Sequence, residues 1–165
     1  MRFRMLDRIT EIVPGERIIA ERKLTGREDY LADHFPLFPV MPGVLMLEAM
    51  FQAAVWLVRV TDDFEHSIVR LREARNVKYS DFVVPGQTLI VSAEIVKRDG
   101  LLTSLTARGI SHDAIAVSAR LVVESVPISS CMPSRVPMEP WSQKLMREQY
   151  AELTVELPSR VALSV

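Results

Sequence analysis

The run from His34 to Val58, HFPLFPVMPGVLMLEAMFQAAVWLV, constrains the fold of this chain more than any other stretch. From Gly43 onward almost every residue is apolar, and the only ionisable one is Glu48, followed four positions later by Gln52. A helix that is apolar on all sides belongs in the interior of a protein. A buried carboxyl group needs a partner or a function. The run therefore predicts a buried central helix that carries one polar site.

The prolines at positions 36, 39 and 42 determine what precedes this helix. Each proline fixes its own φ and moves the residue before it out of the helical region, so the segment 34–42 is expected to be extended and stiff. Pro42 and Gly43 then open the helix, because proline is tolerated in a first turn. The helix is predicted to continue to about Val60.

The remainder of the first 126 residues predicts an antiparallel sheet. Turn dipeptides, such as Asp99-Gly100, separate runs in which apolar and polar residues alternate. The predicted strands are Ile9–Val13, Arg17–Leu24, Ser67–Phe82, Gln87–Arg98, Leu101–Ser111 and Ala114–Ser125. The charges in Arg17–Leu24 are typical of an exposed or edge strand. The predicted fold class is α+β, with one long central helix wrapped by a five- to six-stranded antiparallel sheet.

The composition changes after Val126. Prolines at 127, 133, 137 and 140 mark a linker. After it, helical spacing runs through Trp141, Leu145, Gln149 and Leu153, with Met146 and Tyr150 flanking. We expect a short amphipathic helix that packs back on the domain or on a partner. The chain thus divides into one domain, residues 1–126, and a Pro-rich linker with a C-terminal helix and tail, residues 127–165.

Composition argues against several classes of protein. The 165 residues are 48% hydrophobic and 25% charged with a net charge of −1, which is typical of a soluble globular protein and provides no basic field for nucleic acid. Glu48, inside the apolar run, argues against a membrane span. One cysteine and three histidines predict neither an intrachain disulfide nor a metal site. A cytoplasmic location is expected.

His34 and Glu48 are the candidate chemical groups. His34 stands among prolines directly before the helix, and a neutral imidazole there can act as a base. Glu48 supplies a carboxyl group. The backbone N–H of Gly43, at the helix N-terminus, can hydrogen-bond a carbonyl oxygen, and a residue without a side chain lets a substrate come close. These groups suit proton abstraction next to a carbonyl, with loss or migration of a β substituent.

Simpler interpretations of the same residues stay open at this point. His34 could be a structural histidine hydrogen-bonded in a loop, and Glu48 could be neutralised by Gln52 or an arginine. His66 and His112 are interpreted as surface residues. A basic patch, either a solvated strand face or a surface for an acidic partner, comprises Arg70, Arg72, Arg75 and Lys78.

The segment HFPLFPVMPGVLMLEAMFQA closely resembles the signature of the 3-hydroxyacyl-(acyl-carrier-protein) dehydratases of the FabZ type, within the hotdog-fold superfamily. Val83-Val84-Pro85-Gly86 resembles a second motif of that family, and the similarity extends from about Ile9 to Val123. The resemblance implies a hotdog fold and a homodimer, or a trimer of such dimers, in which two sheets join edge to edge. It also implies active-site tunnels at the dimer interface and no cofactor.

The resemblance also implies roles for single residues. His34 matches the catalytic base and Glu48, from the other subunit, its acidic partner. Gly43 matches the residue whose N–H polarises the thioester carbonyl, and Gln52 the glutamine near the acid. The reaction implied is dehydration of (3R)-3-hydroxyacyl thioesters on acyl carrier protein to trans-2-enoyl thioesters, in fatty-acid biosynthesis.

Some positions refine or depart from this pattern. Phe35 and Val44 complete the expected substrate-binding set, and Val44 replaces the cysteine of the related dehydratase/isomerases, which favours a plain dehydratase. Asp33 and Leu37 stand where the family usually has glycine, and Asp81 lies where a basic residue and proline are usual. The alternatives are another hotdog enzyme, either a thioesterase or a specialised lipid or polyketide dehydratase, and a non-catalytic acyl-binding hotdog subunit.

Overall fold

The computed structural model describes residues 3–155, which form six strands and four α-helices. The strands are β1 (Arg8–Val13), β2 (Arg17–Lys23), β3 (Ile68–Tyr79), β4 (Thr88–Asp99), β5 (Leu102–Ser111) and β6 (Ala114–Val126). The helices are α1 (Tyr30–Asp33), α2 (Gly43–Thr61), α3 (Ile128–Cys131) and α4 (Glu139–Thr154), and a 3-10 turn spans Pro133–Met138.

The six strands form one antiparallel sheet in the order β1-β2-β4-β5-β6-β3. Helix α2 contacts β2, β3, β4, β5 and β6, so the sheet wraps around it. The predicted α+β architecture is confirmed, with six strands. Arg17–Leu24 was expected to be an exposed or edge strand, and the edge position is wrong, because β2 pairs with both β1 and β4. Its charges are accommodated by pairing, as between Arg22 and Asp7, whose Nη1 and Oδ1 atoms are 2.8 Å apart.

Helix α2 is the predicted central helix, and it ends within one residue of the expected position. The Pro42 carbonyl accepts hydrogen bonds from the N–H groups of Leu45 and Met46, at 2.9 and 3.2 Å, which starts the first turn. Its buried residues are Met46, Ala49, Met50, Ala53, Ala54, Val55, Trp56, Leu57 and Val58. Among residues 3–155, α2 is the helix long and apolar enough to cross a membrane, and 50% of that apolar window is buried within the fold.

The edges of the sheet are β1 and β3. Strand β3 has twelve residues and, within the described residues 3–155, pairs along one side only, with β6. Most of its side chains are exposed, and its other side presents unpaired backbone N–H and C=O groups. A strand of this length with a free edge can pair with another strand.

The proline segment before α2 contains a tight turn, so the prediction that 34–42 is extended throughout is wrong at its centre. The Phe38 N–H donates to the Phe35 carbonyl at 2.7 Å, and Phe35 has a φ of +53°. Pro36 occupies the second position of this turn, where its fixed φ is favourable. The prolines therefore stabilise a turn, which returns the chain so that Val40 lies beside His34.

The segment after β6 folds against the domain. The predicted linker contains α3 and the 3-10 turn, and the predicted helix is present as α4, whose buried residues are Met146 and Leu153. The predicted apolar face is wrong in its first half, because Trp141 and Leu145 are exposed. A spacing of four residues rotates about 40° per step around a helix, whereas seven residues return to nearly the same face. The tail from 156 to 165 lies outside the described residues.

Candidate active site

His34 lies in a cavity of about 560 Å³ at the N-terminus of α2. Four of the six predicted site residues line it: His34, Phe35, Gly43 and Val44. The opposite wall is Tyr79–Phe82, the end of β3 and the residues after it. The cavity is therefore mainly apolar, with one imidazole beside a helix N-terminus.

The hydrogen bond of His34 fixes the role of its ring. Its Nδ1 lies 3.0 Å from the carbonyl oxygen of Val40. A carbonyl only accepts hydrogen bonds, so Nδ1 carries the proton and Nε2 of the neutral ring keeps its lone pair. The ring also contacts Phe35, with ring centroids 4.4 Å apart. The turn around Pro36 thus orients an imidazole whose free nitrogen can accept a proton.

Gly43 is the first residue of α2, so its N–H has no acceptor within the helix. The structure adds a reason for glycine that the sequence did not reveal. A Cβ at this position would lie 2.9 Å from two ring carbons of Tyr79. Tyr79 therefore occupies the space left by the missing side chain. The expectation that glycine lets a substrate come close is wrong on that side of Gly43. The backbone N–H still belongs to a residue that lines the cavity.

Glu48 and Gln52 line a different cavity, of about 200 Å³, on another side of α2. Glu48 follows Gly43 by five residues, which corresponds to about 140° of rotation and roughly 7.5 Å along the helix. Within one chain, the structure therefore does not bring His34 and Glu48 into one pocket. The cavity of Glu48 also includes Val69 of β3.

Gln52 orients the carboxyl group of Glu48. Its Nε2 donates to Glu48 Oε1 at 2.8 Å and to the Phe3 carbonyl at 3.0 Å, while its Oε1 accepts from the Met5 N–H at 2.9 Å. Both amide hydrogens and the amide oxygen are thus engaged, so the amide orientation is determined. Within residues 3–155 only Oε1 of Glu48 has a hydrogen bond, and Oε2 has none. Gln52 is thus a hydrogen-bond partner of Glu48, as one of the simpler interpretations of the sequence expected.

Two arginines, Arg4 and Arg59, line the cavity together with Glu48, and the sequence reasoning singled out neither. Burial lowers the pKa of Arg59 to about 10. Its Nη2 donates to the Ser67 carbonyl at 3.0 Å, and its guanidinium lies 5.2 Å from the ring centroid of Trp56. Arg59 follows Glu48 by eleven residues, about three helical turns, so both lie on one face of α2.

The basic patch of β3 is partly neutralised within the sheet. Arg70 and Arg72 both contact Glu124 of β6, with N–O distances of 2.8 and 3.6 Å, and the hydrogen bond from Arg70 lowers the pKa of Glu124. Arg75 pairs with Glu73. The patch is therefore mostly a strand face with internal ion pairs. No group of three or more His, Cys, Asp or Glu side chains in residues 3–155 is placed to hold a metal ion.

Solved structures share this architecture. A chain of the dehydratase heterocomplex ApeI:P from Xenorhabdus doucetiae has a TM-score of 0.64 and 15% identity, covering 80% of this chain and 89% of that chain. The smu.793 protein of Streptococcus mutans UA159, solved with acetyl CoA bound, has a TM-score of 0.57 and 12% identity, covering 72% of this chain and 87% of that chain. The fold is the hotdog fold, as the resemblance implied.

Sequence comparison defines the family. The model of the FabA-like domain matches residues 1–120. The 3-hydroxyacyl-(acyl-carrier-protein) dehydratase FabZ of Clostridium kluyveri is 37% identical over 98 residues, 59% of this chain and 68% of that protein. FabZ of Clostridium tetani is 32% identical over 121 residues, 73% of this chain and 81% of that protein. The chain belongs to the FabA-like family and, within it, to the FabZ-type 3-hydroxyacyl-(acyl-carrier-protein) dehydratases.

Proposed function

We propose that this protein removes water from (3R)-3-hydroxyacyl thioesters carried on acyl carrier protein and so forms trans-2-enoyl thioesters in fatty-acid biosynthesis in the cytoplasm. The observation that carries the proposal is His34, whose Nδ1 is committed to Val40 and whose Nε2 is a base within the cavity at the start of α2. Family membership supports the substrate class and the carrier protein.

In the reaction, His34 Nε2 takes the proton from C2 of the acyl chain. The electron pair of that C–H bond forms the C2–C3 double bond, and the C3–O bond breaks. The leaving hydroxyl takes a proton from the carboxyl group of Glu48 and departs as water. The N–H of Gly43 hydrogen-bonds the thioester carbonyl and so stabilises the negative charge that develops on its oxygen. No redox step occurs, so no electron carrier is required.

The carboxyl group comes from a second copy of the chain. His34 and Glu48 lie in separate cavities of one chain, and strand β3 contributes to both, through Tyr79 at one end and Val69 at the other. These two residues lie five positions on either side of Ala74. If β3 pairs antiparallel with β3 of a second copy about a two-fold axis at Ala74, Val69 of one copy lies opposite Tyr79 of the other.

This pairing joins the two half-sites. The cavity of Glu48 in one copy then adjoins the cavity of His34 in the other, twice per dimer. The free edge of β3 supplies the backbone groups, and apolar side chains around the His34 cavity are exposed in the single chain. These exposed residues include Phe35, Val44, Tyr79 and Phe82. Burial of such a patch favours association.

Incubation of the purified protein with a 3-hydroxyacyl thioester on acyl carrier protein, followed by mass spectrometry, tests this function. We expect loss of one water per acyl chain. His34→Ala should abolish turnover, whereas His112→Ala, in the exposed turn between β5 and β6, should leave it unchanged. Release of free thiol would favour a thioesterase, and no turnover or full activity of His34→Ala would overturn the proposal.

A further inference from the structure

We propose that helix α4 forms a wall of the acyl-binding pocket and thereby determines which acyl chain lengths the enzyme accepts. This inference rests on the proposed function. Its basis is that Gln149 and Leu153 of α4 line the same cavity as Glu48. Helix α4 lies outside the region that matches the FabA-like domain, which ends at residue 120. The wall is thus a feature of this chain in addition to its family domain.

The cavity has the direction that an acyl chain requires. It begins at Glu48 and continues along α2 through Val55 to Arg59. Eleven residues of helix correspond to roughly 16 Å. The reacting carbon atoms lie at the Glu48 end, so the distal part of the acyl chain extends along α2 toward Arg59. Across from α2, the wall along this path includes Val69 of β3 and the two residues of α4.

Helix α4 is held firmly enough to act as a wall. At its start, Glu139 Oε1 accepts a hydrogen bond from the Ser67 N–H at 3.0 Å. In its second half, Tyr150 packs against Trp56 and Phe64, and the ring centroid of Tyr150 lies 6.1 and 5.7 Å from theirs.

Two solvent-exposed ion pairs add a small contribution to this attachment. Arg147 binds Asp63 at 2.9 Å, after the end of α2. Glu152 binds Arg4 at 2.8 Å, in the N-terminal segment whose backbone also holds Gln52. The helix is therefore attached at both ends, and its position relative to Glu48 is defined.

The size of the cavity makes the wall restrictive. Its volume of about 200 Å³ is below the roughly 300–1,000 Å³ usual for ligand pockets. Leu153 is only 2% exposed, and it also lines a larger cavity of about 640 Å³ on its other side. Shortening Leu153 would therefore enlarge the smaller cavity, whereas enlarging Gln149 would fill it.

The test measures kcat/KM of the 165-residue protein for short and long 3-hydroxyacyl chains on acyl carrier protein. Leu153→Ala enlarges the pocket and Gln149→Trp fills it. Leu145→Ala is the matched control, because Leu145 also lies on α4 but is 36% exposed and lines neither cavity. Each methylene excluded from the pocket weakens binding about fourfold. The ratio of long-chain to short-chain kcat/KM should rise about tenfold in Leu153→Ala and fall about tenfold in Gln149→Trp.

Leu145→Ala should keep the wild-type ratio. If Gln149→Trp turns over substrate with the wild-type ratio of long-chain to short-chain kcat/KM, the inference is overturned, whatever Leu153→Ala shows. The proposed function would stay intact in that case. If Leu153→Ala does not fold, Gln149→Trp decides alone, because it adds volume at a partly exposed position. A wild-type protein that dehydrates no chain length would overturn the proposed function and this inference with it.

Discussion

The placement of His34 and Glu48 in separate cavities predicts that two inactive variants restore activity in each other. One variant is His34→Ala, which retains Glu48, and the other is Glu48→Gln, which retains His34. A heterodimer of the two has one site with both residues intact and one site with both substituted. Each homodimer lacks one essential group at both of its sites.

The expected yield follows from random assortment. In an equimolar mixture that exchanges subunits freely, about half of the dimers are heterodimers, and each has one working site of two. The mixture should therefore regain about a quarter of the activity of the same amount of wild-type protein. Glutamine is the appropriate substitution at position 48, because it has nearly the shape of glutamate and can still accept the hydrogen bond from Gln52 at its oxygen.

A second mixture gives a test that does not depend on residual activity of the two single variants. Wild-type protein is mixed in equal amounts with the double variant His34→Ala/Glu48→Gln. If each site takes its residues from two subunits, only wild-type homodimers work, and activity falls to about a quarter of that of wild-type protein at the same total concentration. If each site lies within one subunit, activity stays at about half.

Dehydration is measured by mass spectrometry of the acyl chain, before and after the exchange period. Subunits with tags of different mass establish by native mass spectrometry that exchange has occurred. Verified heterodimers without regained activity, together with a wild-type and double-variant mixture that keeps half of its activity, would refute the assignment of Glu48 to the second subunit.

Two further predictions concern local structure and are read from urea unfolding curves. Gly43→Ala places a Cβ 2.9 Å from the ring of Tyr79. It should lower the free energy of unfolding by only about 1 kcal/mol, because the half-exposed ring can move. The same substitution in a Tyr79→Ala background should have no such effect, and an equal loss of stability in both backgrounds would contradict the clash. Burial alone would raise the pKa of Glu28, but hydrogen bonds from Thr25 and Gly26 outweigh it and lower that pKa below its ordinary value of 4.5. A carboxylate of this kind stabilises the fold above its unfolded-state pKa and loses that effect as pH falls through the folded-state pKa. Glu28→Gln should therefore cost about 1–2 kcal/mol at neutral pH and less in acid, and a pH-independent cost would contradict the reasoning.

The central helix could be predicted from sequence because its residues allow few other structures. The mainly apolar run from Gly43 to Val58 is too long for a strand, and Pro42-Gly43 gives it a start signal. The hairpin turns were equally explicit, since Asp99-Gly100 separates β4 from β5. The order of the strands could not be predicted from the sequence, because the pairing of β3 with β6 joins residues far apart in the chain and leaves no local pattern.

Only part of the candidate site could be predicted from the sequence. The types of residue and their order identify His34, Gly43 and Glu48. Periodicity gives no direction in space for a loop residue such as Phe35, which has a positive φ at the start of the turn. Single-sequence reasoning also missed Tyr79 at the end of β3, although it lies just before the Val83–Gly86 motif. The walls of both cavities are formed by contacts between distant parts of the chain.

The position of Trp56 gives this protein an intrinsic optical probe. The sequence contains two tryptophans: Trp56 is 8% exposed and lines the cavity of Glu48, whereas Trp141 is 60% exposed on α4. Indole fluorescence depends on local polarity and on nearby charge, and the guanidinium of Arg59 lies over the Trp56 ring. In a Trp141→Phe protein the remaining emission comes from the pocket wall, so entry of an acyl chain can be followed by fluorescence in real time, without turnover and without a chemical label.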